Sequence, residues 1–171
     1  VPSLMTLPDG SMRQTGFLVN RRTDTMAVLG SVTDRYGLVQ NPDLISVVED
    51  SFAAKGLTNY TRKVVVTGEG ERMYATYDFK NHTKKLKVGD EVGLRLTAQN
   101  SFDGGLRVSF ACGALRLVCS NGMTTLEREV SMTKKHSSSI STKFVVEALE
   151  KAIAAWDTST LVFDRLSDVA V

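Results

Sequence analysis

Any nucleophilic or metal chemistry in this chain would have to be built from two cysteines and two histidines. Cys112 lies in Ser109-Phe110-Ala111-Cys112 and Cys119 in Leu115-Arg116-Leu117-Val118-Cys119. Their spacing fits neither a zinc knuckle nor a redox CxxC pair, so both read as small buried hydrophobes. A Cys119 nucleophile with His136 as its base lacks the helix N-terminus and orienting acid that would make a thiolate. His82, within Lys80-Asn81-His82-Thr83-Lys84-Lys85, reads as a solvated turn residue, and the histidines show no HExxH spacing. Gly68-Glu69-Gly70 is too short for a dinucleotide fingerprint, and no GxxxxGK[ST] loop occurs. Asp103 with His136 could serve a hydrolase, but an Asp followed by two glycines is first of all a turn former. No enzymatic activity, cofactor or metal is expected.

The cations and hydroxyls of the central strands suggest binding instead. Val92, Leu94, Leu96 and Ala98 alternate with Arg95, Thr97 and Gln99; after the turn Asn100-Ser101-Phe102-Asp103-Gly104-Gly105, Leu106, Val108, Phe110 and Cys112 alternate with Arg107, Ser109 and Ala111. Beyond Gly113 the apolar phase slips to Leu115, Leu117 and Cys119 around Arg116, the mark of a bulge or bend. The expectation is a curved strand pair with one apolar face and one face bearing Arg95, Thr97, Gln99, Arg107 and Ser109, with Arg116 beside the bend. Together with Lys134, Lys135 and His136 these residues form a candidate nucleic-acid site, because cations and hydroxyls along a groove hold phosphates and leave base edges open. The competing expectation is the ordinary wet side of an antiparallel sheet.

The elements that would position these residues follow from periodicity. Residues 1–14 carry Pro2, Pro8, Asp9 and Gly10 with little pattern and read as an N-terminal arm. Phe17-Leu18-Val19 and Met26-Ala27-Val28-Leu29 flank a polar tip and predict a hairpin. Asn41-Pro42 predicts a helix start with Asn41 as N-cap; Leu44, Ile45, Val48 and Phe52 form its apolar stripe and Gly56 stops it. Val64-Val65-Val66 and Met73 to Phe79 predict a second hairpin, with Met73, Ala75, Tyr77 and Phe79 on one face. Lys80 to Lys87 reads as a solvated connector, and Met123 to Val130 as a short helix or turn. Ile140, Phe144, Val145, Ala148, Leu149, Ala152, Ile153 and Trp156 recur at helical spacing and predict a long amphipathic helix. Residues 15–157 are then one α+β domain, an antiparallel, curved sheet of hairpins with the long helix on one face and a second, shorter helix. Residues 158–171 form a docking segment.

Composition bounds the function. The 171 residues carry 21 Lys+Arg against 19 Asp+Glu, a formal +2, so a nucleic-acid site must be a local patch rather than a polycationic chain. At 42% hydrophobic and 23% charged the chain is that of a folded domain. No apolar run approaches the roughly 20 residues of a membrane helix, and the first residues lack a secretory pattern. A cytoplasmic setting without membrane partners is therefore expected. Val1 in place of Met reads as a processed or trimmed chain.

Arg21-Arg22-Thr23-Asp24-Thr25 through Leu29-Gly30-Ser31-Val32, Tyr36 to Pro42, Asn100 to Gly105, Leu115 to Gly122 and Lys134-Lys135-His136 resemble, in order and spacing, the phage/plasmid-like family of domains of unknown function. The resemblance runs from about residue 20 to 155. The family pattern has His-Asp-Gly-Ser where this chain has Phe102-Asp103-Gly104-Gly105, and Arg-His where it has Lys135-His136. The resemblance implies a mobile-element protein encoded near recombination functions. The element order is also similar, by topology alone, to single-strand-annealing proteins of the Redβ/RecT type. Together these imply a homo-oligomeric, non-enzymatic protein that binds single-stranded DNA and anneals strands, as a ring or filament. The alternative is an accessory factor docking on a host-defence or ATPase partner through Leu161, Val162, Phe163 and Leu166.

Overall fold

A computed structural model describes residues 1–87, 90–117, 124–141 and 143–168, with side chains described for 1–79, 81–83, 92–113, 131–141 and 143–158. The fold is α+β, with curved antiparallel sheets. Strands β1 (Pro2–Thr6), β2 (Met12–Arg21) and β3 (Val28–Thr33) form a three-stranded sheet. After helix α1 (Asn41–Ala54), strands β4 (Tyr60–Thr67), β5 (Arg72–Lys87), β6 (Asp90–Ser101), β7 (Val108–Leu117) and β8 (Thr124–Lys134) form a five-stranded meander in sequence order. Helix α2 (Phe144–Asp168) is the last described element.

The alternating pattern places the core where the sequence predicts it. Met73, Ala75, Tyr77 and Phe79 of β5, Leu94, Leu96 and Ala98 of β6, and Val108, Phe110 and Cys112 of β7 share the buried face. Leu44, Val48 and Phe52 of α1 and Val145, Ala148, Leu149, Ala152 and Trp156 of α2 cover that face. Phe52 packs edge-on against Tyr60, Tyr77 and Phe79, at centroid distances of 5.6, 4.9 and 5.2 Å. A side chain so placed contributes about 3–5 kcal/mol relative to alanine.

Gly56 ends α1 as predicted. Its φ is 71°, its N–H bonds the Ala53 carbonyl (3.0 Å), and the Leu57 N–H bonds the Phe52 carbonyl (2.9 Å), which satisfies the last turn. The N-terminus differs from expectation. Gln40, not Asn41, is the N-cap. The Asn41 amide oxygen instead accepts from Nδ2 of the fully buried Asn100 (2.8 Å), which also donates to the Val39 carbonyl (2.7 Å). Satisfying the buried Nδ2 donors of Asn100 outweighs a cap at the helix start.

Four further expectations need correction. Residues 2–6, read as part of an arm, are β1, paired with β2. The lysine run 80–87 is strand rather than connector: after a register shift between Phe79 and Thr83, Lys85 and Lys87 pair with Glu91 and Asp90 across the ladder. The backbone of β5 thus keeps its ladder with β6 beyond the shift, which a connector would not. Residues 124–130 belong to β8, because Thr124 to Val130 pair with β7 instead of closing a helical turn. The irregularity expected in β7 at Gly113 lies in its neighbour: β7 pairs with β6 without a slip, whereas Cys112 pairs with Val130 and Gly113 with Arg128, leaving Glu129 as the extra residue. Helix α2 continues past Trp156 to Asp168, so residues 158–168 are helical backbone. The tail side chains Leu161, Val162, Phe163 and Leu166 lie outside those described.

Candidate nucleic-acid interface

The hairpin tip between β6 and β7 is where the parts of the molecule converge. Asp103 shapes it as an Asx turn, accepting the Gly105 N–H (2.7 Å) and binding Arg72 from Nε at 2.8 Å. Burial alone would raise the Asp103 carboxyl; the Gly105 N–H and Arg72 outweigh it and hold the group below its ordinary value. The three-stranded sheet clamps the tip: Asn20 Nδ2 donates to the Phe102 carbonyl (2.8 Å), and a Cβ on Gly30 of β3 would overlap the Asp103 backbone. Tyr36 donates to the Ser101 carbonyl (2.7 Å) from the opposite side.

Tyr36 in turn seats His136. The two rings stack at 4.5 Å with 11° between their planes, and His136 Nδ1 lies 2.9 Å from the Gly37 carbonyl, to which it donates. A Cβ on Gly37 would overlap the Ser137 carbonyl, so glycine is what lets these segments meet. Burial lowers the His136 pKa, only partly offset by the Gly37 carbonyl and the charge of Asp103. The ring is therefore neutral near pH 7 and acts as a brace rather than as the third cation of Lys134-Lys135-His136. Its Nε2 is buried without a hydrogen-bond partner among the described residues. With the Asp103 oxygens taken by Gly105 and Arg72, no hydrogen bond joins the pair that a hydrolase would use.

Around this brace open two adjoining clefts. The first, about 420 Å³, is lined by Phe17, Thr33, Tyr36, Arg107, Lys135 and His136, among others. The second, about 510 Å³, lies at the start of α2 and is lined by Lys134, Lys135, Lys143, Ser137, Ser139 and Ser141, with Glu147 as its acidic member. Lys135 belongs to both. Glu147 is bound by Lys151 (2.8 Å), which lowers its pKa. Arg107, Lys134, Lys135 and Lys143 are exposed, and none forms an ion pair with a described residue. The positive end of the α2 dipole adds to their field.

The other expected site residues separate from this cluster. Arg95 is not an available cation, because Asp78 on β5 binds it through Nε (2.5 Å) and Nη2 (2.6 Å). Since Gln99 pairs with Ser109, Arg107 falls level with Ser101, about 20 Å along the strand from Arg95. Thr97 and Gln99 lie between them on the half-exposed face, with the Thr97 hydroxyl turned to the Ala111 carbonyl at 3.4 Å. Arg116 pairs with Val92, one strand position out of phase with Arg95, and its side chain lies outside those described. Cys112 is buried, as expected, beneath α2; Cys119 lies outside the described residues. His82, expected in solvent, is half-buried and edge-on to Phe79 (6.0 Å). Sequence reasoning missed Phe17, Tyr36 and Lys143. The one local signal for Tyr36 is the glycine that follows it.

A larger cleft, about 760 Å³, lies between the small sheet and α1, lined by Asn20, Leu29, Leu38, Asn41, Val66 and Phe102 among others. Its Arg22 is bound to Asp24 (2.6 Å) and to the Glu69 carbonyl (2.9 Å). That cleft is the roomier, but it lacks the grouped unpaired lysines of the other two. Among the described residues no three His, Cys, Asp or Glu side chains group as a metal site would require, and no helix is long and apolar enough to cross a membrane.

Residues 28–171 match the family model described as Domain of unknown function (DUF932). The chain belongs to the DUF932 family. The match spans β3 to the end of the chain, so every cation of the two clefts lies inside the DUF932 region while Phe17 on β2 lies before it. No curated protein and no solved structure matches the chain.

Proposed function

We propose that this DUF932 protein binds single-stranded nucleic acid through its phosphates, along the band that Arg107, Lys135, Lys134 and Lys143 form over the two clefts. One observation carries the reading: these four cations line two clefts that share Lys135 and form no ion pair with a described residue, whereas Arg62, Arg72 and Arg95 are each bound to a carboxylate. Ser137, Ser139 and Ser141 add hydroxyl donors to phosphate oxygens. Phe17, half-exposed at the mouth of the first cleft, offers a face on which a base can stack, which favours single strands over duplex. A phage- or plasmid-borne setting, a homo-oligomer, and strand annealing during recombination are the finer parts of this proposal. Annealing fits a site that grips phosphates and leaves base edges open.

Fluorescence anisotropy with a labelled oligothymidylate, and with a duplex of equal length, tests it. The expected result is single-strand binding that weakens steeply with salt and is lost on reversing Arg107 and Lys135 together. No binding at about 50 mM salt, or binding that survives the double reversal, would refute it.

A further inference from the structure

Strand β4 is an outer strand of the five-stranded sheet, paired with β5 over its whole length without a register shift. Seven of its eight residues are exposed, and Val64, Val65 and Val66 are 40%, 42% and 50% exposed, Val66 lining the larger cleft beside the small sheet. It contains no proline and no bulge, and its two charges, Arg62 and Lys63, both lie before the three valines. Its outward peptide groups form a ready ladder for another strand.

We propose that β4 pairs with β4 of a second copy of this chain, antiparallel about a two-fold axis at Val65, joining the two five-stranded sheets into one. The register follows from parity. Peptide groups point outward at every second residue, so a symmetric pairing must be centred on a residue. Centred on Lys63, it sets two ammonium groups face to face. Centred on Val64, it sets Lys63 against Val65 and Arg62 against Val66. Centred on Val66, it leaves Val65 against Thr67 and Val64 against Gly68. Centred on Val65, it sets Val65 against Val65 and Val64 against Val66 on both sides, while Lys63 meets the neutral Thr67. This register matches every valine with a valine and keeps like charges apart. It is this self-complementarity that selects a second copy over an unrelated strand. Arg62 stays bound to Glu49 of α1 (2.6 Å) and need not move. An edge-only contact is small, so the dimer is a micromolar one.

Sedimentation of the full chain without nucleic acid, from roughly 1 to 100 µM, reads the mass directly. The wild type is expected to pass from monomer to dimer across that range. Val65→Lys sets two cations across the axis and weakens the dimer by about tenfold or more; circular dichroism at this exposed position confirms that the fold persists. Val65→Glu does the same, and an equimolar mixture of the two variants restores the dimer. A wild type that stays monomeric, a Val65→Lys variant that associates as well as wild type, or a mixture that stays monomeric would each overturn the proposal. None of these outcomes depends on nucleic-acid binding, so this pairing and the phosphate band stand or fall separately.

Discussion

Removing Arg107 is the sharpest test of the phosphate band, because its effect can be worked out before the measurement. If Arg107, Lys134, Lys135 and Lys143 each neutralise one phosphate, four contacts on a single strand give a slope of log affinity against log salt of about −2.8. Raising salt fourfold, from about 50 to about 200 mM, then weakens binding about 50-fold. Arg107→Ala leaves three contacts, a slope of about −2.1, and only about a 20-fold loss over the same interval. The same substitution should weaken low-salt binding by about tenfold, as loss of a charge-assisted hydrogen bond does, and equally for every oligonucleotide sequence. Anisotropy titrations at four or five salt concentrations resolve a slope change of this size. A slope that Arg107→Ala leaves unchanged, or that Arg95→Ala lowers by as much, would show that the clefts are not where phosphate is held.

The remaining expectations separate binding from folding. Arg95→Ala should leave affinity and salt slope as they are but lower stability by about 1 kcal/mol, roughly 2–4 °C in Tm, since it strands Asp78 on a half-exposed strand face; thermal melts alongside titrations check both halves. Gly37→Ala should cost about 1–3 kcal/mol and weaken binding as well, because the new methyl pushes the Tyr36 segment off Ser137 and His136; the near-UV dichroism of Tyr36 would change with it. His136 has a folded pKa below its ordinary 6.5, so the unfolded chain takes up the proton first. Its contribution is present in full above about pH 6.5 and is lost as pH falls below that value; His136→Gln should flatten the Tm–pH curve across that window. Phe17→Ala should lose about 1–3 kcal/mol of single-strand affinity with the salt slope intact, since stacking releases no counterions.

What was legible in the sequence was whatever depends on neighbours within one strand or one helix. Met73 to Phe79 and Val92 to Ala98 alternate because one face of each strand is buried along its length. Gly56 ends α1 through bonds spanning a few residues. The misread segments depend on partners elsewhere. Lys80 to Lys87 looks like a solvated connector until Glu91 and Asp90 are seen opposite it across the next turn. Arg95 looks available until Asp78, from the preceding strand, is placed beside it. The brace of the site joins His136 to Gly37 across 99 residues, a contact for which no local pattern exists. Of the residues that the sequence reading grouped, Arg107 and Lys135 line one cleft and Lys134 the adjoining one, and the first cleft is shaped by Tyr36 and Phe17, which that reading left aside.

The small sheet thus has a positional role that an arm could not fill. Through Asn20 and Gly30 it holds the β6–β7 tip, and through Arg22 it holds the β4–β5 turn, so two hairpin turns of the large sheet are held by one element. Fixing the β6–β7 tip sets the height of Arg107 relative to Lys135, which hangs from the end of β8 beyond its last paired residue, Lys134. A flexible tip would let each cation follow its own counterion; a clamped one presents them together. Electrostatic attraction between an exposed pair of charges is modest in water, so a phosphate band gains more from holding several cations in register than from adding further ones. A chain of formal charge +2 can still gather exposed cations locally: Asp103 in the first cleft is bound to Arg72 and Glu147 in the second to Lys151, while Arg107, Lys134, Lys135 and Lys143 form no ion pair with a described residue.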